Sequence, residues 1–274
     1  MPELPEVETV RQTLRERVIG QTIDETTILW DNIIKRPGDP DEFKMLLQGQ
    51  TIHEINRKGK FLLFDMDDVT LVSHLRMEGK YAVYPKEEVA LPHTHILFHF
   101  ASGTDLRYQD VRKFGTMHVF NKGDAYDNKP LNTLGPDPFD PTFTASYLFE
   151  KLKHTTRQIK SVLLDQTVVA GLGNIYVDET LFRSYIHPER TAHTLTYLEA
   201  ERVRQAAIDT LQEALAQGGT TIRSYVNSEG ASGSFQKELF VYGQEASPCK
   251  QCGEEIIKIK VSNRGTHLCP VCQQ

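Results

Sequence analysis

All four cysteines of the chain fall in its last 26 residues, as Cys249-x-x-Cys252 and Cys269-x-x-Cys272 with 16 residues between the pairs. Four thiolates complete the tetrahedral shell of one Zn²⁺, and a two-residue gap lets each pair bend round the metal in a tight turn. Between the pairs, Ile256 to Val261 reads as a strand and Asn263-Arg264-Gly265 as a turn, so the segment is expected to be a hairpin held by zinc with Arg264 at its tip. The competing pattern is two disulfides, which suits exported proteins. The start MPELPEVE is acidic and is followed by neither a basic region nor an apolar stretch, which reads against a secretory signal. Four protein ligands leave no position open for water, so one structural Zn²⁺ is expected.

The 274 residues favour about two domains, each able to bury its own core. With 39% hydrophobic and 25% charged residues, the composition is that of a globular chain rather than a disordered one. The longest apolar runs, such as Phe61 to Phe64, fall far short of a bilayer span, and a cytoplasmic location is expected. Along the chain the organisation is α+β. Leu4, Val7, Val10, Leu14 and Val18 recur at helical spacing over residues 3–19, with Pro5, Glu6 and Glu8 suited to the first turns. Short apolar runs follow at Ile28 to Trp30, Phe61 to Phe64, Thr70 to Leu75, Ile96 to Phe100 and Met117 to Phe120. They are separated by turn signals such as Gly38-Asp39-Pro40 and leave no room for helices between them, which predicts an antiparallel β-sandwich in the N-terminal part, residues 1–126.

The proline-rich stretch 127–142 reads as a linker. Helical spacing then dominates over 144–154, 158–166, 174–184 and 196–217, within a helical domain of residues 143–235, and Gly218-Gly219 caps the last helix. Residues 226–235 are rich in glycine and serine and read as a mobile loop, and 236–274 form the ribbon. Gly171-Leu172-Gly173-Asn174 joins two helices, with Asn174 as N-cap. Such a turn lets backbone N–H groups approach a phosphate, although a plain packing corner explains it equally well.

Methionine is normally trimmed before proline, which would leave Pro2 with a free secondary amine of near-neutral pKa. Condensed with an aldehyde-level carbon, a secondary amine gives an iminium that is cationic without further protonation and acts as an electron sink. Most chains that begin Met-Pro make no use of it, so this feature alone does not establish a nucleophile.

The start Pro2-Glu3-Leu4-Pro5-Glu6-Val7-Glu8-Thr9, the interior motifs His74-Leu75-Arg76-Met77-Glu78-Gly79 and Asp110-Val111-Arg112-Lys113-Phe114-Gly115, the Gly-x-Gly-Asn-Ile-Tyr turn and the terminal four-cysteine ribbon together closely resemble the bacterial formamidopyrimidine-DNA (8-oxoguanine-DNA) glycosylases. The resemblance implies an N-terminal β-sandwich, a helix-two-turn-helix motif and a zinc ribbon. It implies excision of oxidised purines from duplex DNA, followed by strand cleavage at the abasic site. Pro2 would attack the sugar C1′ and form the Schiff base, Glu3 would handle protons as the ring opens, Lys60 would serve β-elimination and Arg264 the second, δ, elimination. Outside the family, Glu3 would be a first-turn acid, Lys60 part of a solvated basic turn and Arg264 a surface arginine. A base worked on inside a duplex must be extruded and its gap filled. By resemblance Phe114 wedges between base pairs, Met77 fills the vacated stack and Arg112 bonds the widowed cytosine, whereas apolar residues at strand ends are more often core. His74, His93, Asn174 and Tyr242 would contact DNA, as would Arg157, although its surroundings His154-Thr155-Thr156-Arg157-Gln158-Ile159-Lys160 depart from the family pattern. Loop 226–235 resembles a lid over oxidised purines.

The net charge of −6 argues mildly against a nucleic-acid partner. Cations lining one cleft suffice, however, when acid lies beyond a Debye length of about 8 Å. Lys60, Arg112, Lys160 and Arg264 are accordingly expected to face a common groove. His93, His95 and His99 share a strand face by alternation, and packing or solvation is preferred to a metal for the last two. The expected partner is damaged double-stranded DNA, bound by a monomer with no membrane contact. The alternatives are the related glycosylase of oxidised pyrimidines, disfavoured by Leu4 to Thr9, and a zinc-ribbon DNA binder without chemistry.

Overall fold

The computed structural model describes residues 1–220 and 233–274, and the chain divides into two compact units, Met1–Thr133 with Thr220–Gly233, and Leu134–Gly219 with Ser234–Gln274. Most of the Gly/Ser-rich stretch 226–235 lies outside the described residues. No described helix is long and apolar enough to cross a membrane.

The first unit contains α1 (Leu4–Val18), β1 (Ile23–Ile28), β2 (Ile34–Arg36), α2 (Pro40–Leu47), β3 (Glu54–Lys58), β4 (Phe61–Asp65), β5 (Val69–His74), β6 (Lys80–Pro85), β7 (Thr94–Phe100), β8 (Thr104–Gln109) and β9 (Thr116–Asn121). Two sheets form, ordered β1-β7-β8-β6 and β2-β9-β5-β4-β3. Their inner faces supply one apolar core. Leu62, Phe64, Leu71, Met117 and Val119 come from the five-stranded sheet, and Tyr81, Ile96, Phe98, Leu106 and Tyr108 from the four-stranded one. Val7, Val10, Leu14 and Val18 of α1 join the same core, at about 1.5–3 kcal/mol for each side chain taken out of water.

Three expectations are corrected here. The strand foreseen at Ile28 to Trp30 ends at Ile28, and Asp31–Ile33 forms a 3₁₀ turn. A helix does interrupt the strands. Asp39 accepts a hydrogen bond from Asp41 N at 3.0 Å and Pro40 takes the first helical position, so the apparent turn signal is the N-cap of α2. Finally, β2 pairs with β9 in parallel, so the sandwich is not wholly antiparallel.

The second unit holds α3 (Ala145–Lys153), α4 (Ile159–Leu163), α5 (Asn174–Arg183), α6 (Tyr197–Ala216) and the hairpin β10 (Ile257–Val261) with β11 (Arg264–Leu268). Thr144 caps α3, and Thr196 with Glu199 makes a reciprocal capping box for α6. Gly218 and Gly219 follow α6 with φ of 70° and 78°, the left-handed backbone that terminates a helix. The helix expected over 158–166 stops at Leu163. Gly173, not Asn174, is the cap of α5. The hairpin turn is Ser262-Asn263, both with positive φ, and Arg264 is the first residue of the returning strand, opposite Val261. Phe182 of α5 packs with Val241, Cys249, Ile256 and Cys269, which anchors the ribbon to the helices.

Within the first unit one ion cluster ties α1 to the sandwich. Glu8 accepts from Arg11 Nη2 at 2.6 Å and from Arg57 Nε at 2.9 Å, while Arg57 Nη1 also donates to Gly59 O. Burial by itself would raise the Glu8 carboxyl, but the two arginines outweigh it and hold the group below its usual value of 4.5. A carboxylate depressed in this way contributes stability that is fully present above its unfolded value and is lost as pH falls through the folded one. Glu8→Gln is therefore expected to flatten the acid limb of a melting-temperature profile below about pH 4.5 and to cost about 1–3 kcal/mol at pH 7. An unchanged acid limb in the variant contradicts this account.

Candidate active site and nucleic-acid interface

Sheet topology brings most of the first unit's candidate residues to one end of the sandwich. β3 and β4 form a hairpin with Lys58 opposite Phe61, so Gly59-Lys60 is its two-residue turn, with Gly59 at φ 56°. Lys60 is buried at this turn. Phe61 lies opposite His74 on β5, and His74 lies opposite Thr116 on β9. Residues 75–79, carrying Met77, and residues 110–115, carrying Arg112 and Phe114, therefore leave or enter the five-stranded sheet side by side. Both cross to the other sheet, where Lys80 pairs with Gln109.

The second of these crossovers is organised by a single buried side chain. Asp110 accepts from Arg112 N at 3.0 Å through Oδ1 and from Phe114 N and Gly115 N at 2.8 and 2.9 Å through Oδ2. Phe114 is 51% exposed, so its ring is accessible at the surface. The Arg112 guanidinium lies 4.8 Å from its ring centroid. Met77 is half-buried beside exposed Arg76.

His74 is buried, and its Nδ1 accepts from Arg76 N at 2.8 Å, which fixes the proton on Nε2. Burial first, then the cations Arg76 and Lys60, hold its pKa well below the usual imidazole value, so it is neutral at pH 7. His118 behaves alike, lowered to about 4 by burial and by Lys35, Arg36 and Arg76. Burial is the larger cause at both imidazoles, and the nearby cations add to it. Arg76, Lys35 and Arg36 were not singled out in the sequence, where only their position beside the His74 motif and on a short strand could have suggested them.

Pro2 is buried and Met1, which precedes it, is 49% exposed. Glu3 is the N-cap of α1 in a reciprocal box. Its side chain accepts from the Glu6 backbone, and its own N–H donates to Glu6 Oε2 at 2.9 Å. Glu3 is thus the cap of the helix rather than the first-turn acid weighed for it, which is Glu6. Glu6 Oε1 accepts from Thr220 N at 2.8 Å and from Thr220 Oγ1 at 3.1 Å.

His93 stands before β7 with φ 66° and is exposed, so it leaves the alternation that seemed to align it with His95 and His99. Those two are packed. His95 Nε2 meets Asp110 O at 2.7 Å, and His99 lies between Asp105 and Thr27 at 2.6 and 2.8 Å.

In the second unit, adjacent acids on α5 hold the elements around them. Asp178 pairs with Lys160 Nζ at 2.6 Å, both fully buried, and also accepts from His267 N at 2.9 Å. Lys160 Nζ donates further to Thr266 Oγ1 at 2.8 Å and Gly265 O at 3.2 Å. The expectation that Lys160 lines an open groove is thereby corrected, because its charge is spent inside, on the strand that follows Arg264. Glu179 accepts three backbone N–H bonds, each 2.9 Å, from Phe240, Val241 and Tyr242. Burial nevertheless raises its pKa above the usual carboxylate value. Asn174 Nδ2 donates to Gly265 O at 2.9 Å, and its buried Oδ1 has no partner among the described residues. Arg157 is engaged locally, with Asp165 Oδ2 and Ser161 O both at 2.8 Å. With Ser161, Ser262 and exposed Arg264 it lines an open hollow of about 240 Å³. Asp110, Asp178 and Glu179 were not assigned roles from the sequence; the adjacent acids within the otherwise apolar Ile175 to Phe182 were the available signal.

Cys249, Cys252, Cys269 and Cys272 place their sulfurs within 4.8 Å of one another and form no disulfide. Sulfurs about 2.3 Å from a tetrahedral Zn²⁺ lie about 3.8 Å apart, and the Cys249–Cys272 and Cys252–Cys269 separations are 3.9 and 3.5 Å. Gln251 N and Cys272 N donate to the Cys249 and Cys269 sulfurs at 3.4 Å, bonds that favour thiolates. The donor set fits a structural metal ion with no open coordination position.

Three families of known domains match the chain in order: the formamidopyrimidine-DNA glycosylase N-terminal domain over residues 1–117, its H2TH domain over 134–226, and a zinc finger found in FPG and IleRS over 246–274. Formamidopyrimidine-DNA glycosylases of Oceanobacillus iheyensis and Cytobacillus firmus are 56% and 57% identical over 273 residues, covering 100% of this chain and 98% and 100% of theirs. Among solved structures, a Lactococcus lactis FPG mutant in complex with Fapy-dG containing DNA superposes with a TM-score of 0.93 at 43% identity, each chain covered in full. The L. lactis Fpg bound to abasic-site DNA gives 0.92 with 99% of each chain covered. This succession of domains defines a DNA glycosylase with a helix-two-turn-helix domain and a zinc finger. The chain belongs to the formamidopyrimidine-DNA glycosylase family.

The buried pair offers a direct test of how the second unit is held together. Lys160→Met leaves Asp178 without its counter-ion and is expected to cost about 3–5 kcal/mol in chemical denaturation. A loss below about 1 kcal/mol would show that the pair does not fasten the hairpin to α5.

Proposed function

We propose that the protein excises oxidised purines, 8-oxoguanine and formamidopyrimidines, from duplex DNA and then cleaves the strand at the resulting abasic site. The observation that carries this reading is the full-length match, at a TM-score of 0.93, to a relative solved on Fapy-dG containing DNA. With Met1 removed, the Pro2 nitrogen attacks the lesion's C1′, the bond from C1′ to the base breaks, and the base leaves with a proton. Loss of the amine proton and opening of the ring give an iminium, which withdraws electrons from C2′. Abstraction of a C2′ proton then expels the 3′ phosphate, and a second elimination expels the 5′ phosphate. Glu3, next to Pro2 and N-cap of α1, handles the ring-opening proton in this reading. Lys60 serves the first elimination and Arg264 the second. Met77, Arg112 and Phe114 enter the gap left by the extruded nucleotide, and His74, His93, Arg157, Asn174 and Tyr242 bear on the DNA backbone. Neutral His74 acts there as an Nε2–H donor. Zn²⁺ on the four cysteines supplies no chemistry and holds the hairpin that carries Arg264.

A second substrate class has a specific observation behind it, since the L. lactis FPG has also been solved with an oxidized pyrimidine containing DNA. Purine and pyrimidine lesions placed in the same duplex separate the two.

Borohydride is expected to trap the chain covalently on 8-oxoguanine and abasic duplexes. Acetylating the mature terminus, or extending it by one residue, should abolish trapping while leaving binding within about twofold, because only the amine is lost. Trapping that survives a blocked terminus rules out Pro2 as the nucleophile. Chelation is expected to weaken DNA binding strongly while the β-sandwich unit still melts as a separate transition. A single collapse of both units on chelation contradicts the independent folding of the β-sandwich.

A further inference from the structure

The two crossovers that carry Met77 on one side and Arg112 and Phe114 on the other meet at a single buried phenol. Tyr108, on β8, is fully buried and points into the core beside Tyr81, with ring centroids 5.1 Å apart. Gly79 closes the first crossover, donating to Leu75 O at 2.9 Å, and Gly115 closes the second, held by Asp110. A Cβ added to either glycine would overlap the Tyr108 hydroxyl and would lie 2.9 Å (Gly79) or 2.7 Å (Gly115) from its ring carbon Cζ. Neither position has a positive φ, so backbone freedom does not account for glycine at either one. The hydroxyl fills the space that a side chain would take on both crossovers, and at Gly79 the Leu75 carbonyl oxygen, 2.5 Å from the same point, closes the rest of it. No geometrically sound hydrogen bond pairs the hydroxyl among the described residues, and its one polar neighbour is the Asp110 carboxylate, already committed to three backbone N–H groups, which adds to burial in raising the phenol pKa. An unpartnered buried hydroxyl is costly, and phenylalanine would remove the cost. What the oxygen provides is volume between two glycines.

We propose that Tyr108 is a positioning residue for helix insertion. Its hydroxyl is wedged against Gly79 and Gly115 and sets the spacing between the Met77 crossover and the Arg112–Phe114 crossover, so that both enter the stack in one register. This inference rests on the reading that those three residues occupy the gap. It concerns how they are aligned, and Tyr108 touches neither the DNA nor the reacting atoms.

The test uses the full chain and a duplex with 2-aminopurine beside the lesion, whose fluorescence rises when the stack is opened and entered. Gly115→Ala should lower the amplitude of that rise and the excision kcat on duplex by about tenfold, since overpacked sites force their neighbours apart. Nicking of an abasic site in a single-stranded oligonucleotide, which has no stack to enter, should stay within about twofold. Gly115→Ala combined with Tyr108→Phe should recover part of the loss, because the overlap with the hydroxyl is removed while the ring carbon Cζ, 2.7 Å from the added methyl, still has to shift. Tyr108→Phe alone should lower the amplitude by about threefold, and it supplies the reading if Gly115→Ala does not fold. Full insertion by both single variants, or a double variant no better than Gly115→Ala, overturns the assignment. A wild-type chain that gives no fluorescence rise and no cleavage overturns the glycosylase reading as well, whereas an active wild type with unaffected variants overturns only the role of Tyr108.

Discussion

Buried carboxylates that accept backbone N–H groups hold the loops that carry candidate residues in both units. Asp110 takes three such bonds from the crossover bearing Arg112 and Phe114, Glu179 takes three from the segment ending in Tyr242, and Asp178 takes His267 N together with Lys160. An ionised acid inside a protein is tolerated only when several donors converge on it. Each of these acids meets that condition with loop backbone, so the loop must close for the charge to be satisfied. The surplus of acid in the sequence is thus partly internal, and cations such as Arg76, Arg112 and Arg264 remain at the surface.

The metal hairpin was the most legible element, because a cysteine pair with a two-residue gap has few geometries available to it. The first helix and the long α6 were also readable, having an apolar stripe and strong caps. β3, β6 and β8 were not. Sequences such as Glu54-Ile55-Asn56-Arg57-Lys58 and Thr104-Asp105-Leu106-Arg107-Tyr108-Gln109 carry charge at positions whose partners lie far along the chain. Arg107, for example, is buried because Pro85 O, Glu88 O and Val89 O fold over it. Similarly, Asp39 was read as a turn residue, whereas it caps a helix whose Phe43 and Leu47 are buried.

Among the site residues, those lying in contiguous motifs were visible, and those defined by contact across the chain were not. Lys160 shows the difference. Its charge suggested an open groove, yet no local pattern revealed Asp178 eighteen residues on, or Thr266 on the far strand of the hairpin. His93 was misplaced for a more local reason, since one left-handed residue before a strand breaks the alternation from which its direction was inferred. Conversely, the gathering of Lys60, His74, Met77, Arg112 and Phe114 needs no special sequence signal. It follows from two neighbouring crossovers and a hairpin turn at one end of paired strands.

Glu6 joins parts of the chain that are remote in sequence. One of its oxygens holds the Glu3 N–H and the other holds Thr220, the last described residue before 221–232. A carboxylate is a rigid plane, so a displacement of Thr220 turns the group that fixes the first turn of α1, and a shift of Glu3 is transmitted in the opposite direction. Such a link is reciprocal: whatever displaces Thr220 bears on Glu3, the residue next to Pro2, and whatever displaces Glu3 bears on Thr220.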